Sequence, residues 1–168
     1  MPLRLFALCL PLALAAACDG DDHHGQGEII RLDDASDEVV LTLREAYESG
    51  EAVVDDEVAA RLTAPADGAE LPAGSPATFT WTPAQSTLRH GRTTGDFVWL
   101  DITCSGMDHP IDVVAIESTS WQADAASWGH MAEAGSCEVL VVSAYVDRGI
   151  ITEGPYVPSE NPTFTVAE

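Results

Sequence analysis

Four cysteines, five histidines and 28 acidic residues carry the chemistry open to this 168-residue chain, beside seven arginines and no lysine. Without lysine there is no Schiff base and no Lys-activated hydroxyl. The adjacent pair His23-His24 follows Asp21-Asp22, and imidazole with carboxylate suits Zn²⁺ or Cu²⁺. Neighbouring residues in a Gly-rich polar run are not preorganised, and the glycine of an EF-hand loop is out of register here. Asp21, Asp22, His23 and His24 therefore read first as a solvated charge run and only second as metal ligands. His90, His109 and His130 are far apart in sequence, on expected loops or a helix, and read as surface residues that a fold could still bring together in part. No nucleophile elbow, zincin, CxxC, Walker or dinucleotide motif occurs. The expectation is a non-enzyme with no catalytic residue and no cofactor.

Cys9 and Cys18 belong to the start of the chain. Arg4 opens an apolar run, Leu5 to Ala17, which closes on Ala15-Ala16-Ala17 directly before Cys18. A basic start, an apolar centre and a small-residue end describe a secretory signal, too short to span a bilayer. The stretch Leu14-Ala15-Ala16-Ala17-Cys18 resembles the lipobox of bacterial lipoproteins. That resemblance implies removal of residues 1–17, acylation of Cys18, and attachment to a lipid bilayer in the bacterial cell envelope. Two or more acyl chains anchor stably without a spanning helix. In an exported protein the remaining even pair, Cys104 and Cys137, reads as a disulfide; as a metal site it would be half complete.

The net charge of −21 excludes nucleic acid, whose phosphates need clustered Lys and Arg, and excludes electrostatic binding to anionic lipid. Residues 19–28 contain no hydrophobic side chain, so 18–35 is expected to be a lipidated Cys followed by a disordered acidic tether. Residues 36–60 are ambiguous between strand and helix. A helix over 37–48 is favoured, with Ser36 as cap, Gly50 as stop, and Val40, Leu43 and Tyr47 on one face.

From Arg61 the apolar period becomes two. Strands are expected at Thr78–Trp81, Phe97–Cys104, Ile111–Glu117, Cys137–Val146 and Thr163–Val166, between Gly, Pro and Asp turns. Asp124 should cap a short crossover helix ended by Gly135, with Trp128, Met131 and Ala132 on one face. If Phe97–Cys104 and Cys137–Val146 pair antiparallel, Cys104 faces Cys137, Ile102 faces Val139 and Leu100 faces Val141, all on one side. Pro65-x-Asp67-Gly68, Thr78-Phe79-Thr80-Trp81 and Phe97 to Ile102 resemble the early strands of immunoglobulin-like and fibronectin-type-III-like domains, with Gly154-Pro155 and Phe164-x-Val166 fitting the closing strand. The implied fold for 61–168 is an all-β, immunoglobulin-like antiparallel sandwich with a helical crossover. Trp99, Trp121 and Tyr156 are the candidate contacts to a protein or glycan partner, should they be exposed. The expected role is a lipid-anchored, non-catalytic display module, structural or adhesive; glycan binding by those aromatics, or metal handling by the Asp/His run, are the alternatives.

Overall fold

The apolar alternation along residues 97–104 and 137–146 organises the molecule. The computed structural model describes residues 27, 29–86, 96–147 and 150–167. In chain order these form β1 (Ile29–Arg31), α1 (Asp37–Glu48), β2 (Val53–Val54), β3 (Arg61–Ala64), β4 (Ala69–Pro72), β5 (Thr78–Thr82) and β6 (Asp96–Cys104). There follow β7 (Ile111–Ile116), β8 (Ser120–Gln122), α2 (Ala125–Ala134), β9 (Ser136–Asp147), β10 (Ile150–Val157) and β11 (Thr163–Ala167).

Among the described residues two sheets form. The larger runs β1-β7-β6-β9-β10-β2, with β11 also on β9 and β4 on β11; the smaller runs β3-β5-β8. β6 and β9 pair antiparallel in the expected register, with Cys104 opposite Cys137, Ile102 opposite Val139 and Leu100 opposite Val141. These six side chains lie in one buried cluster with Phe79, Trp81 and Trp121 of the smaller sheet, so the sheets face each other across a shared core. Phe79 ties the layers together, its ring centroid 5.2 Å from that of Trp121 and 5.6 Å from that of Phe164.

The opposite face of the larger sheet is also covered. Phe97 and Trp99 of β6, Val114 of β7 and Val142, Ala144 and Val146 of β9 form a second buried cluster with Val39, Val40 and Leu43 of α1. The central strands are apolar on both faces because both faces are packed. α1 occupies the range expected for it, but its buried stripe is Val39, Val40, Leu43 and Ala46, while Tyr47 turns outward. Ser36 occupies the cap position without a side-chain cap bond. Asp37 instead holds Arg31 in an exposed ion pair.

Three expectations are corrected here. The acidic tether does not extend to residue 35. Ile29, Ile30 and Arg31 pair in parallel with β7, the Leu32 N–H donates to the Val114 carbonyl at 2.8 Å, and Ala35 is buried. Two adjacent isoleucines supply the apolar surface that the preceding ten residues lack. The folded unit consequently begins well before Arg61, since residues 36–60 provide its helical layer and an edge strand. Finally, the sheet is mixed: β1 on β7, β2 on β10 and β4 on β11 are parallel pairs. These additions at the sheet margins involve short strands of two to four residues, which carry too little alternation to announce a direction.

Candidate functional site

Two segments hang from the ends of β6 and β9, and the disulfide fixes their roots. Cys104 and Cys137 are joined, their Cα atoms 4.0 Å apart, and the Ser105 N–H donates to the Ser136 carbonyl at 2.8 Å. Beyond Cys104 the chain turns tightly: the Met107 N–H reaches the Cys104 carbonyl at 3.1 Å, and Gly106 takes φ +85°, where a side chain would be strained. The loop continues through Asp108, His109 and Pro110 into β7.

α2 leads into Cys137 from the other side, with both its ends determined locally. Asp124 accepts from the backbone N–H groups of Ala126 (2.9 Å) and Ser127 (3.0 Å) and from the Ser127 hydroxyl (2.7 Å). These bonds, the two from Ser127 foremost, hold the Asp124 carboxyl below the usual range. Gly135, at φ +80°, ends the helix by donating to the Met131 carbonyl. Trp128 and Met131 are buried, and the Trp128 indole N–H donates to the Ala73 carbonyl at 2.8 Å. With that face committed, His130 and Glu133 remain exposed, three positions apart on one side of the helix.

The loop and α2 enclose an open cavity of about 670 Å³, lined among others by Met107, Asp108, His109, His130 and Glu133. Gly27 completes its wall, and a Cβ there would collide with the Pro110 carbonyl oxygen, so only glycine lets the chain lie against this loop. His109 and His130, read as separate surface residues, thus share one cavity. The signal was present in the cysteine register, because pairing Cys104 with Cys137 brings residues just after the first and just before the second to the same pole. Among the described residues no group of three or more His, Cys, Asp or Glu is arranged to hold a metal ion.

A second, larger cavity of about 850 Å³ carries Asp56, Asp67 and Glu138, but these acids fasten the 158–163 loop. Asp56 accepts from the Ser159 N–H and hydroxyl, Asp67 from the Thr163 N–H and hydroxyl, and Glu138 from the Asn161 amide. Hydrogen bonding from Ser159 and from Thr163 holds the Asp56 and Asp67 carboxyls below the usual range. These bonds account for the acid clustering without a ligand.

The aromatic contacts expected for a partner are corrected. Trp99 is 1% exposed and Trp121 is 6% exposed. Trp99 lies under α1, its indole N–H donating to Asp112 at 2.7 Å with the Arg44 guanidinium 5.4 Å from its ring centroid; Trp121 packs against Phe79. Tyr156 is half-buried, and its hydroxyl donates to Glu153 at 3.3 Å. The sandwich and its helical layer take up these rings, leaving no aromatic platform made of Trp99 and Trp121. Cys18 and the run Asp21, Asp22, His23 and His24 lie outside the described residues. No helix among the described residues is long and apolar enough to cross a membrane.

Beside α1, Asp101 sits half-buried on the outer face of β6, accepting from the Thr103 hydroxyl at 2.9 Å. Burial, reinforced by the nearby Asp112 and Glu138 charges, raises its carboxyl above the usual range. A carboxyl whose folded value exceeds its unfolded one stabilises below the unfolded value and loses that contribution as pH rises through the folded one. Asp101→Asn is therefore expected to be more stable than the wild type at neutral pH, by less than about 1 kcal/mol given the partial exposure. The advantage should shrink as pH falls below about 4. Denaturant melts at the two pH values check this; an Asn variant less stable at neutral pH would contradict the burial account.

Comparison of the chain with protein-family models, with curated proteins and with solved structures finds no match.

Proposed function

We propose that the chain is an exported bacterial lipoprotein, acylated on Cys18, which holds a non-catalytic immunoglobulin-like module at the cell envelope in a structural or adhesive role. The observation that carries this reading is the place where the chain enters the fold. The lipobox-like Leu14–Cys18 stretch is followed by polar residues only, and nine residues after Cys18 the backbone is already lodged at Gly27 against Pro110. At full extension nine residues reach about 30 Å, so an acylated Cys18 keeps the pole of the Cys104–Cys137 bridge next to the bilayer. Asp96 pairs with Tyr145 at the far end of the same two strands. The pole formed by the β9 and β10 ends, Asp33 and Ser118 then faces away from the membrane and is the surface offered to a partner.

The topology supports the immunoglobulin-like part of the reading. β3, β5 and β8 form one sheet, and β7, β6 and β9 form the other, extended by β11 with β4 running parallel to it. That is the partition expected of an A-B-E sheet against a C-F-G sheet, with the first strand crossing between them. The bridge lies within one sheet, unlike the inter-sheet bridge of antibody domains. α1 is an addition to that plan, and it closes the outer face of the larger sheet.

The lipid attachment is tested by feeding labelled fatty acid to bacteria expressing the chain. The wild type should take up label and Cys18→Ser should not. Label retained in Cys18→Ser would refute the anchor, and with it the orientation.

A further inference from the structure

Two valines stand exposed at the margin of the larger sheet. β2 is the last strand there, paired in parallel with β10 through Val53 opposite Tyr156 and Val54 opposite Val157, and among the described residues no strand lies on its other side. Val53 is 52% and Val54 63% exposed, and with Tyr47 they are three of the five large apolar side chains left exposed among the described residues. The Asp55 N–H donates to the Val157 carbonyl at 3.0 Å, so the N–H of Val54, one residue earlier, points away from β10 to the open edge. Val54 also rims a groove of about 500 Å³, whose apolar wall is Tyr47 of α1, Ala52, Leu140 of β9, Val157 of β10 and Pro158. We infer that this edge takes an extended, basic segment of another protein, added as a strand to β2 with an apolar side chain seated in the groove.

The flanking charge selects the partner. From Glu48 to Glu57 the chain carries Glu48, Glu51, Asp55, Asp56 and Glu57 and no basic residue. Asp55 is engaged by the N–H groups of Glu57 and Val58, and Asp56 by Ser159 and Arg61. Glu48, Glu51 and Glu57 are exposed and have no basic partner among the described residues. A bare apolar edge strand invites pairing with further copies of its own chain, and like charges beside it oppose that. In each antiparallel register that pairs valine with valine, Glu51 would fall opposite an acid of the second copy. The same acids attract Lys and Arg, and a net charge of −21 steers a basic chain toward the protein from further away. Strand addition gives affinity through main-chain hydrogen bonds, and the groove gives a preference for the side chain opposite Val54. Register shifts between Ile151 and Tyr156 interrupt the β10 edge beyond β2, which confines the added strand to β2. The inference gives the display role above a partner class and does not rest on acylation of Cys18, so the two readings fail separately.

The full chain, in mild detergent, is titrated against fluorescent peptides of about seven residues, the length of an ordinary strand. One alternates Lys and Val, a second Glu and Val, a third Lys and Gly, and a fourth is the Lys/Val peptide with N-methylated backbone amides. Anisotropy should report binding of the Lys/Val peptide at about 10 to 100 μM, and binding of the other three weaker by about tenfold or more. Val54→Lys puts a repelling charge on the edge, and Val54→Pro removes the outward N–H, a change that edge strands tolerate. Each should weaken binding of the Lys/Val peptide about tenfold or more. Val54 is exposed, so Val54→Lys should melt like the wild type, and it carries the test by itself if the proline variant does not. Absence of binding would overturn the inference, as would binding that survives Val54→Lys. Equal binding of the Lys/Gly or the N-methylated peptide would overturn it too, leaving plain adsorption of cations to an acidic surface. A wild-type chain that dimerises in sedimentation, and ceases to on Val54→Lys, would give the edge to a second copy instead.

Discussion

Replacing Arg44 by Met should cost about 3 to 5 kcal/mol of stability, the usual result of stripping the partner from a buried charge. Asp112 is fully buried on the outer face of β7, and it accepts from the Arg44 guanidinium on one carboxylate oxygen and from the Trp99 indole N–H on the other. Methionine keeps the aliphatic stem over Trp99 and removes only the cation. The Asp112 charge would then be left in an apolar layer among Val114, Val142 and Trp99. Adding Asp112→Asn to Arg44→Met should restore part of the loss, because the amide still accepts from Trp99 and carries no charge to desolvate. Chemical denaturation of the wild type and both variants measures this. An Arg44→Met variant within about 0.5 kcal/mol of wild type would mean that the ion pair does not secure α1 to the sheet.

Removing the Cys104–Cys137 bridge by Cys104→Ala with Cys137→Ala should lower stability by about 3 to 4 kcal/mol, on the chain-entropy account of a closed loop of this length. The sequence separation is 33, and the loop contains β7, β8 and α2, so the bridge limits the unfolded freedom of a large share of the fold. For a domain of this size the melting temperature should fall by on the order of 10 °C. Both sulfurs belong to the main core cluster, so two small vacancies add to the loss. Peptide mapping of the non-reduced protein should return the two cysteines as one linked pair. A double variant that melts with the wild type would show that the unfolded chain is already constrained in this region.

The two predictions draw on different kinds of information. The bridge was legible in the sequence, because two long β-type segments each carry one cysteine at an end, and the antiparallel register that pairs the cysteines also puts Leu100, Ile102, Val139 and Val141 on one face. α2 was legible for a similar reason, since Asp124 and Gly135 terminate it with bonds that span only a few residues. The Arg44–Asp112–Trp99 cluster was not legible. Its members come from α1, β6 and β7, and nothing near Asp112 in sequence marks it as an acid buried beneath a helix.

Neighbouring residues and apolar period suffice for β5, β6, β7, β9 and β11, for the two ends of α2, and for the disulfide that goes with the β6–β9 register; they did not announce β10, and the side-chain cap they suggest for α1 does not form. The tertiary structure decided what covers the outward faces. Trp99 and Trp121 are candidate surface contacts until the second layer over each is known; α1 covers Trp99 and the larger sheet covers Trp121. It also decided that Ile29–Arg31 joins the sheet in parallel and that His109 meets His130 at one cavity. A short edge strand or a lone loop residue carries no periodic pattern of its own. Its place depends on apolar area and hydrogen bonds offered by segments far away in the chain, which exist only once the core has assembled.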